Sequence, residues 1–312
     1  AQAVSLATRD TRTPALAVLV ASIVNVVGDL VLVAKYRMGL RGAALATAIA
    51  GAASSLLLIR ESKRKVGRWR SADDKRPFVT LPDAKSLINL VKWAGPIFFV
   101  ILGKMACYSA MALKASTFGM MAMATNNIML RIFYFLCPFG DSFSMAVQSF
   151  LPATIYGTGT DDNDGDEDLS KKTVNNKESK TLLKRILLLA STMAITNTFA
   201  AKVMMQYGGR FFTNDSVILS LLADARPVAF MMGSVFLHPL VMAMEGVILT
   251  TRDLGFLISA YVFTMATMLG VLQFADTFTK VWGTLFLFQT IRLTIFGARV
   301  FMKNRSGKGA SS

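Results

Sequence analysis

Six ionisable side chains, Asp29, Lys104, Arg131, Asp141, Glu245 and Arg292, stand inside long apolar runs of this 312-residue chain. A charge at the centre of a bilayer costs roughly 2.5 kcal/mol or more, so each of them needs a partner, a cavity or a function. Glu245 is the strongest candidate for chemistry. His238, Glu245 and Arg252 are spaced by seven, which sets them on one face of a helix, and Met242 falls on the same stripe. A carboxylate in a low-dielectric pocket can gain or lose a proton as its surroundings change. The structural alternative is a permanent ion pair with a basic residue of a neighbouring helix. Lys104 could be that partner, as a fixed or displaceable counter-ion of Glu245 or of Asp141. Asn25 and Asp29 lie four apart on one helical face, Asn127 and Arg131 one turn apart, and Asp141 and Gln148 seven apart. A water-filled cavity would explain this polar loading, and interhelical hydrogen bonding would explain it nearly as well. Arg292 is ambiguous, although with Lys104 and Arg131 it would suit an anion such as a carboxylate, and Arg299 is expected to snorkel towards a membrane surface.

These residues must be positioned by helices. Hydrophobic residues make up 53% of the chain and charged residues 17%, against about a quarter charged in ordinary soluble domains. One aqueous core could not bury so much apolar surface, whereas a bilayer acts as solvent for it. The pattern predicts an all-α, polytopic transmembrane bundle of about eight spans: residues 14–34, 42–59, 87–113, 120–155, 182–205, 228–250, 255–274 and 281–301. Each is near the length that crosses about 30 Å of hydrocarbon at ~1.5 Å per residue, and 120–155 is long enough to be tilted or bent. The second span is rich in glycine and alanine, which lets helices approach closely. Gly95-Pro96 is expected to kink the third. Cys107 and Cys137 both fall in apolar runs, so a disulfide framework is not expected.

The net charge of +15 could suggest nucleic acid, but the basic residues cluster between spans and at the C-terminus, which predicts no nucleic-acid partner and loops facing anionic headgroups. With both termini on one side, that side holds 21 Lys and Arg and the other holds eight; the excess makes the first side cytoplasmic. The polar stretch 157–180 reads as a disordered acidic linker. Its run Asp161-Asp162-Asn163-Asp164-Gly165-Asp166 fails as a calcium loop, because Thr160 and Lys171 would occupy the first and twelfth positions. No metal-ligand spacing, nucleotide fingerprint or nucleophile–His–acid set occurs, which argues against an enzyme.

A short echo links the two ends. Ala7-Thr8-Arg9-Asp10 precedes the first span and Thr250-Thr251-Arg252-Asp253 precedes the seventh, two spans following each, as in transporters built from related halves. The order of longer motifs resembles the multidrug and toxic compound extrusion (MATE) family. Arg9-Asp10-Thr11-Arg12-Thr13-Pro14, with Asn25, Asp29 and Gly39-Leu40-Arg41-Gly42-Ala43-Ala44, resembles that family's fifth and sixth helices. Ala122-Met123-Ala124 through Asp141 and Gln148 resembles the eighth. Phe211-Phe212-Thr213-Asn214-Asp215 resembles the loop before the tenth, and His238-Pro239 through Glu245-Gly246 the tenth itself.

The resemblance implies a twelve-helix, two-lobe transporter whose helices one to four, needed for a full transporter, are missing here, either because the sequence is truncated or because a shortened protein exists. It divides the chain into two N-lobe helices (1–59), a basic cytoplasmic connector (60–86), a six-helix C-lobe (87–302) and a cytoplasmic tail (303–312). It implies a secondary active antiporter exporting organic compounds, with no cofactor beyond a coupling ion, a proton or secondarily sodium. Glu245, Lys104, Asp141 and Asp29 would serve coupling or ion pairing; Asn25, Asn127, Arg131, Gln148, His238 and Met242 would line a substrate cavity. A glutamate is typical of the family eight residues after the helix-seven proline, and Pro96 plus eight gives Lys104, which puts sodium in doubt. A lipid-linked or organic-anion exporter and a non-transporting partner or scaffold are the alternatives.

Overall fold

The computed structural model describes residues 12–69, 83–156 and 176–306. The Ala7–Asp10 half of the internal echo, most of the polar linker 157–180 and the end of the tail lie outside the described residues. Eight helices among those described are long and apolar enough to cross a membrane, and the described residues contain no strand. The chain is an integral, multi-pass, all-α protein. It divides into two compact units, Ala1–Lys85 and Ser86–Ser312.

The first unit is a pair of helices. α1 spans Arg12–Gly28 and passes directly into a π-helical stretch, Asp29–Lys35. The sequence predicts one uninterrupted helix there; the wider winding begins at the polar Asp29 and ends with Tyr36 N donating to Val31 O at 2.9 Å. Such stretches are rare and often mark functional sites. α2, Gly39–Trp69, runs about ten residues past the expected span end at 59, into the basic connector. α1 and α2 pack closely because Gly28 lacks a side chain: a Cβ there would stand 2.8 Å from Ala46 Cβ. Most large apolar residues of α1 are exposed, Leu16, Val18, Leu19, Ile23 and Val26 among them.

The second unit begins with α3 (Ala84–Ser116) and α4 (Met120–Tyr156). The turn between them needs Gly119, at φ +102°, a conformation that residues with a Cβ rarely adopt. α3 continues helically through Pro96, and α4 through Pro138 and Pro152. α5 (Asn176–Gln206) follows. The stretch expected to be only a loop before the sixth span instead forms two short helices, α6 (Gly209–Phe212) and α7 (Ser216–Ala223). The signal was local: the Asp215 carboxylate caps α7 by accepting from Val217 N at 2.8 Å and Ile218 N at 3.2 Å. α8 (Ala225–Thr250) is capped in the same way by Asp224, and α9 (Leu254–Gln273) and α10 (Phe278–Ser306) complete the unit.

α8 is the most buried of these helices and packs along α4, α5 and α10. Its packing with α4 is backbone-close. A Cβ on Gly246 would meet Ser144 Cα and O at 2.9 Å, and a Cβ on Gly140 would meet the His238 ring at 2.5 Å. Gly140 and Ser144 are one turn apart on α4, the small-residue seam that membrane helices use. The apolar core around this seam includes Met129, Phe133, Val147, Met231, Val241, Trp282 and Phe288.

Candidate functional site

Five helices of the second unit bring ionisable and polar side chains to one buried network. Glu245 on α8 is at its centre, 5% exposed. Its carboxylate accepts from Lys104 Nζ of α3 at 3.3 Å, from the Tyr261 hydroxyl of α9 at 2.5 Å and from an Arg292 Nη of α10 at 2.5 Å. The same Arg292 nitrogen also contacts the Tyr261 hydroxyl, and lies 4.0 Å from Met242 Sδ. The guanidinium lies 4.9 Å from the centre of the Tyr261 ring and 5.1 Å from that of Phe288, an aromatic cage that favours a desolvated cation.

The network continues away from Glu245. The other Arg292 Nη donates to Gln289 Oε1 at 3.0 Å, and Gln289 Nε2 lies 3.2 Å from His238 Nδ1. His238 Nε2 lies 3.2 Å from Asp141 Oδ1 on α4. Gly140 makes this possible by leaving the imidazole room against α4. From Asp141 to Lys104, six side chains form one connected path, with Tyr261 braced against its centre. Burial is uneven along it. Gln289 and Arg292 are no more than 1% exposed, whereas the Lys104 side chain is 20% exposed and that of Asp141 50%. The ends of the path are its most exposed groups and its middle is buried. Taken together, Lys104, Arg292, Glu245 and Asp141 balance in charge, which is how buried ionic groups are tolerated.

The expected pair of Lys104 and Glu245 is present, with His238, Asp141 and Met242 gathered around it. Tyr261 and Gln289 were not anticipated, and Arg292, expected only as one of three basic groups suited to an anion, is the innermost cation. A glutamine three residues before an arginine inside one apolar span was the available signal. The other expected cavity residues of α4 lie elsewhere. Asn127 and Arg131 are on an exposed face, and Gln148 bonds back to Ser144 of its own helix at 3.1 Å. The buried neighbour is Asn126, whose two amide atoms have no protein partner.

Two expectations are corrected at the α8–α9 turn. Arg252 does not share the helical face of His238 and Glu245, because α8 ends at Thr250 and Arg252 sits in the turn at φ +57°. Arg299 is not simply a snorkelling anchor: it grips the Asp253 carboxylate at 2.9 Å and 2.8 Å and stacks over Phe256. In the first unit Asn25 Nδ2 reaches Asp29 Oδ2 at 3.4 Å, while Oδ1 of each is buried without a partner. Among the described residues no group of three His, Cys, Asp or Glu side chains could hold a metal.

Comparison with solved structures identifies this architecture. A mutant of the MATE transporter VcmN from Vibrio cholerae superposes with a TM-score of 0.72 at 16% identity, covering 99% of this chain and 65% of that one. The fold is that of the MATE transporters. A MOP-superfamily transporter from Pyrococcus furiosus, described as having a binding pocket of reversed polarity that suggests a different function, matches with a TM-score of 0.66 at 17% identity, over 94% of this chain and 62% of that one. Among curated proteins, Protein DETOXIFICATION 47, chloroplastic, from Arabidopsis thaliana is 25% identical over 304 residues, 96% of this chain and 52% of the relative. No family model matches the sequence. The MATE resemblance read from the ordered motifs therefore holds, and the chain spans about half the length of the curated relatives it matches.

Proposed function

We propose that the chain forms part of a proton-coupled antiporter that carries organic compounds across a bilayer by alternating access, without enzymatic chemistry. The observation that carries this reading is the position of Glu245. Its single carboxylate ties α8 to α3, α9 and α10 through Lys104, Tyr261 and Arg292. Protonation would cancel the charge that two cations share and weaken all three ties at once. A proton would then favour one packing of these helices over another, which is what coupling requires. Sodium suits the site less well: Lys104 stands where the family pattern has a carboxylate, and both Glu245 oxygens are already taken. The Lys and Arg distribution, 21 against eight, supports cytoplasmic termini.

A specific observation favours a second reading, transport of organic anions. Two cations face one carboxylate in the deep part of the site, and Lys104 keeps 20% of its side chain exposed, where it could meet a substrate carboxylate. The Pyrococcus furiosus transporter of the same fold, with its reversed pocket polarity, is in keeping with such variation.

The two readings separate in weakly buffered proteoliposomes carrying the full-length gene product and an internal pH dye. Export-type exchange predicts that entry of a lipophilic quaternary ammonium ion drives protons out. The anion reading predicts that an aromatic carboxylate enters together with protons. No proton movement with either solute would contradict both.

A further inference from the structure

The chain contains one histidine, and its ring joins the two halves of the network. Nε2 faces Asp141 Oδ1, and Nδ1 faces Gln289 Nε2, each at 3.2 Å. The far side of the Gln289 amide is already committed, because its Oε1 accepts from Arg292 at 3.0 Å. A guanidinium can only donate. With its oxygen held there, Gln289 can offer His238 nothing but an N–H. Nδ1 must accept, so the single ring proton sits on Nε2 and is donated to Asp141.

A second proton on the ring would set N–H against N–H at Gln289. Reversing the amide relieves that clash, but it withdraws the oxygen from Arg292 and turns an NH2 group towards the guanidinium. The middle of the network is too well buried for water to mediate: Gln289 is 0% exposed and Arg292 1%. Arg292 Nε already lacks a partner, so the guanidinium has little to spare. The groups facing the imidazole are Asp141 and the edge of Phe133 from α4 and Gln289 from α10. Beyond them the charged groups are Arg292 of α10, Glu245 of α8 and Lys104 of α3, with the Cys137 thiol on α4.

We propose that Gln289 is a positioning residue that, together with Asp141, fixes the His238 tautomer and couples protonation of His238 to the hold on Arg292, and through Arg292 to Glu245. Its use in coupling rests on the transport reading above; the tautomer and the amide reversal do not.

The single histidine makes the test direct. In tag-free protein labelled with 15N-histidine and reconstituted in lipid nanodiscs, one ring gives one pair of nitrogen signals. The wild type is expected to carry its proton on Nε2 at neutral pH. In Gln289→Glu the carboxylate accepts from both Arg292 and the ring, so Nδ1 becomes protonated. In Gln289→Leu the Asp141 carboxylate alone still holds the ring proton on Nε2, so the tautomer stays and only the bridge to Arg292 is lost. A wild-type ring protonated on Nδ1, or a Gln289→Glu ring that keeps Nδ1 bare, would overturn the proposal.

Coupling is read by acid titration of the wild type labelled with both 15N-histidine and 15N-arginine. The His238 signals and the Arg292 side-chain signal, identified by its loss in Arg292→Lys, should move together, and in Gln289→Leu they should move apart. Independent movement in the wild type, or a ring that takes no second proton at any pH that keeps the protein folded, would sink the coupling. A protein that passes these tests yet transports nothing contradicts the transport reading alone.

Discussion

Glu245 is bonded to two cations and a hydroxyl, so removing it leaves more behind than it takes away. In Glu245→Ala, Lys104 and Arg292 would remain buried and unpaired, and breaking a buried pair from one side typically costs about 3–5 kcal/mol. Lys104→Met should cost less, about 1.5–3 kcal/mol, the worth of a hydrogen bond to a charged group, because Arg292 and Tyr261 still hold the carboxylate. Unfolding of the purified protein in a mild detergent measures both, and an equal loss in the two variants would contradict this ranking. The pairing of Lys104 with Glu245 was legible because charges in apolar runs are too costly to stay alone. Gln289 and Tyr261 were not legible, since a neutral polar group in an apolar span does not demand a partner so strongly. Asn127 and Arg131 share an exposed face of α4, away from the network; their spacing gives the shared face, but only packing decides which way that face turns.

Between elements, the close approach of α4 and α8 depends on glycine. Gly246→Ala would press a methyl group against the Ser144 backbone at 2.9 Å, which cannot move without separating the helices. Overpacking of this kind usually costs about 1–3 kcal/mol. Gly103→Ala should be milder, because the atoms in its way belong to the flexible end of Met265. Gly270→Ala, with nothing within 4 Å, should be neutral or stabilising. Thermal unfolding midpoints of the three variants test this order, and a Gly270→Ala loss as large as that of Gly246→Ala would refute it. The turn before α10 carries a separate prediction. Lys280 donates to Asp276 at 2.7 Å, and this hydrogen bond holds the exposed carboxyl below its ordinary range. Its contribution is present above the unfolded value and is lost as pH falls through the lowered folded value. Asp276→Asn should therefore remove only a slight acid-side stability difference, visible at low ionic strength and absent in high salt. The spans themselves were legible from apolar length alone, all eight of them. The π-helical start at Asp29 and the short α6 and α7 were not, because they depend on hydrogen bonding and capping that a hydropathy pattern averages away.

At the scale of the whole molecule, the MATE fold accounts for the order of the motifs, and the second unit contains a connected polar network with exposed ends and a buried centre. Glu245 is the group whose neutralisation would loosen most of that network, because three other helices are tied to it. The proposed coupling depends on that residue. In proteoliposomes containing the full-length gene product, an imposed pH gradient should drive uphill movement of an organic solute, and Glu245→Gln, reconstituted to the same level and folded, should retain binding but lose the response to the gradient. Gradient-driven flux that is unchanged in Glu245→Gln would contradict it.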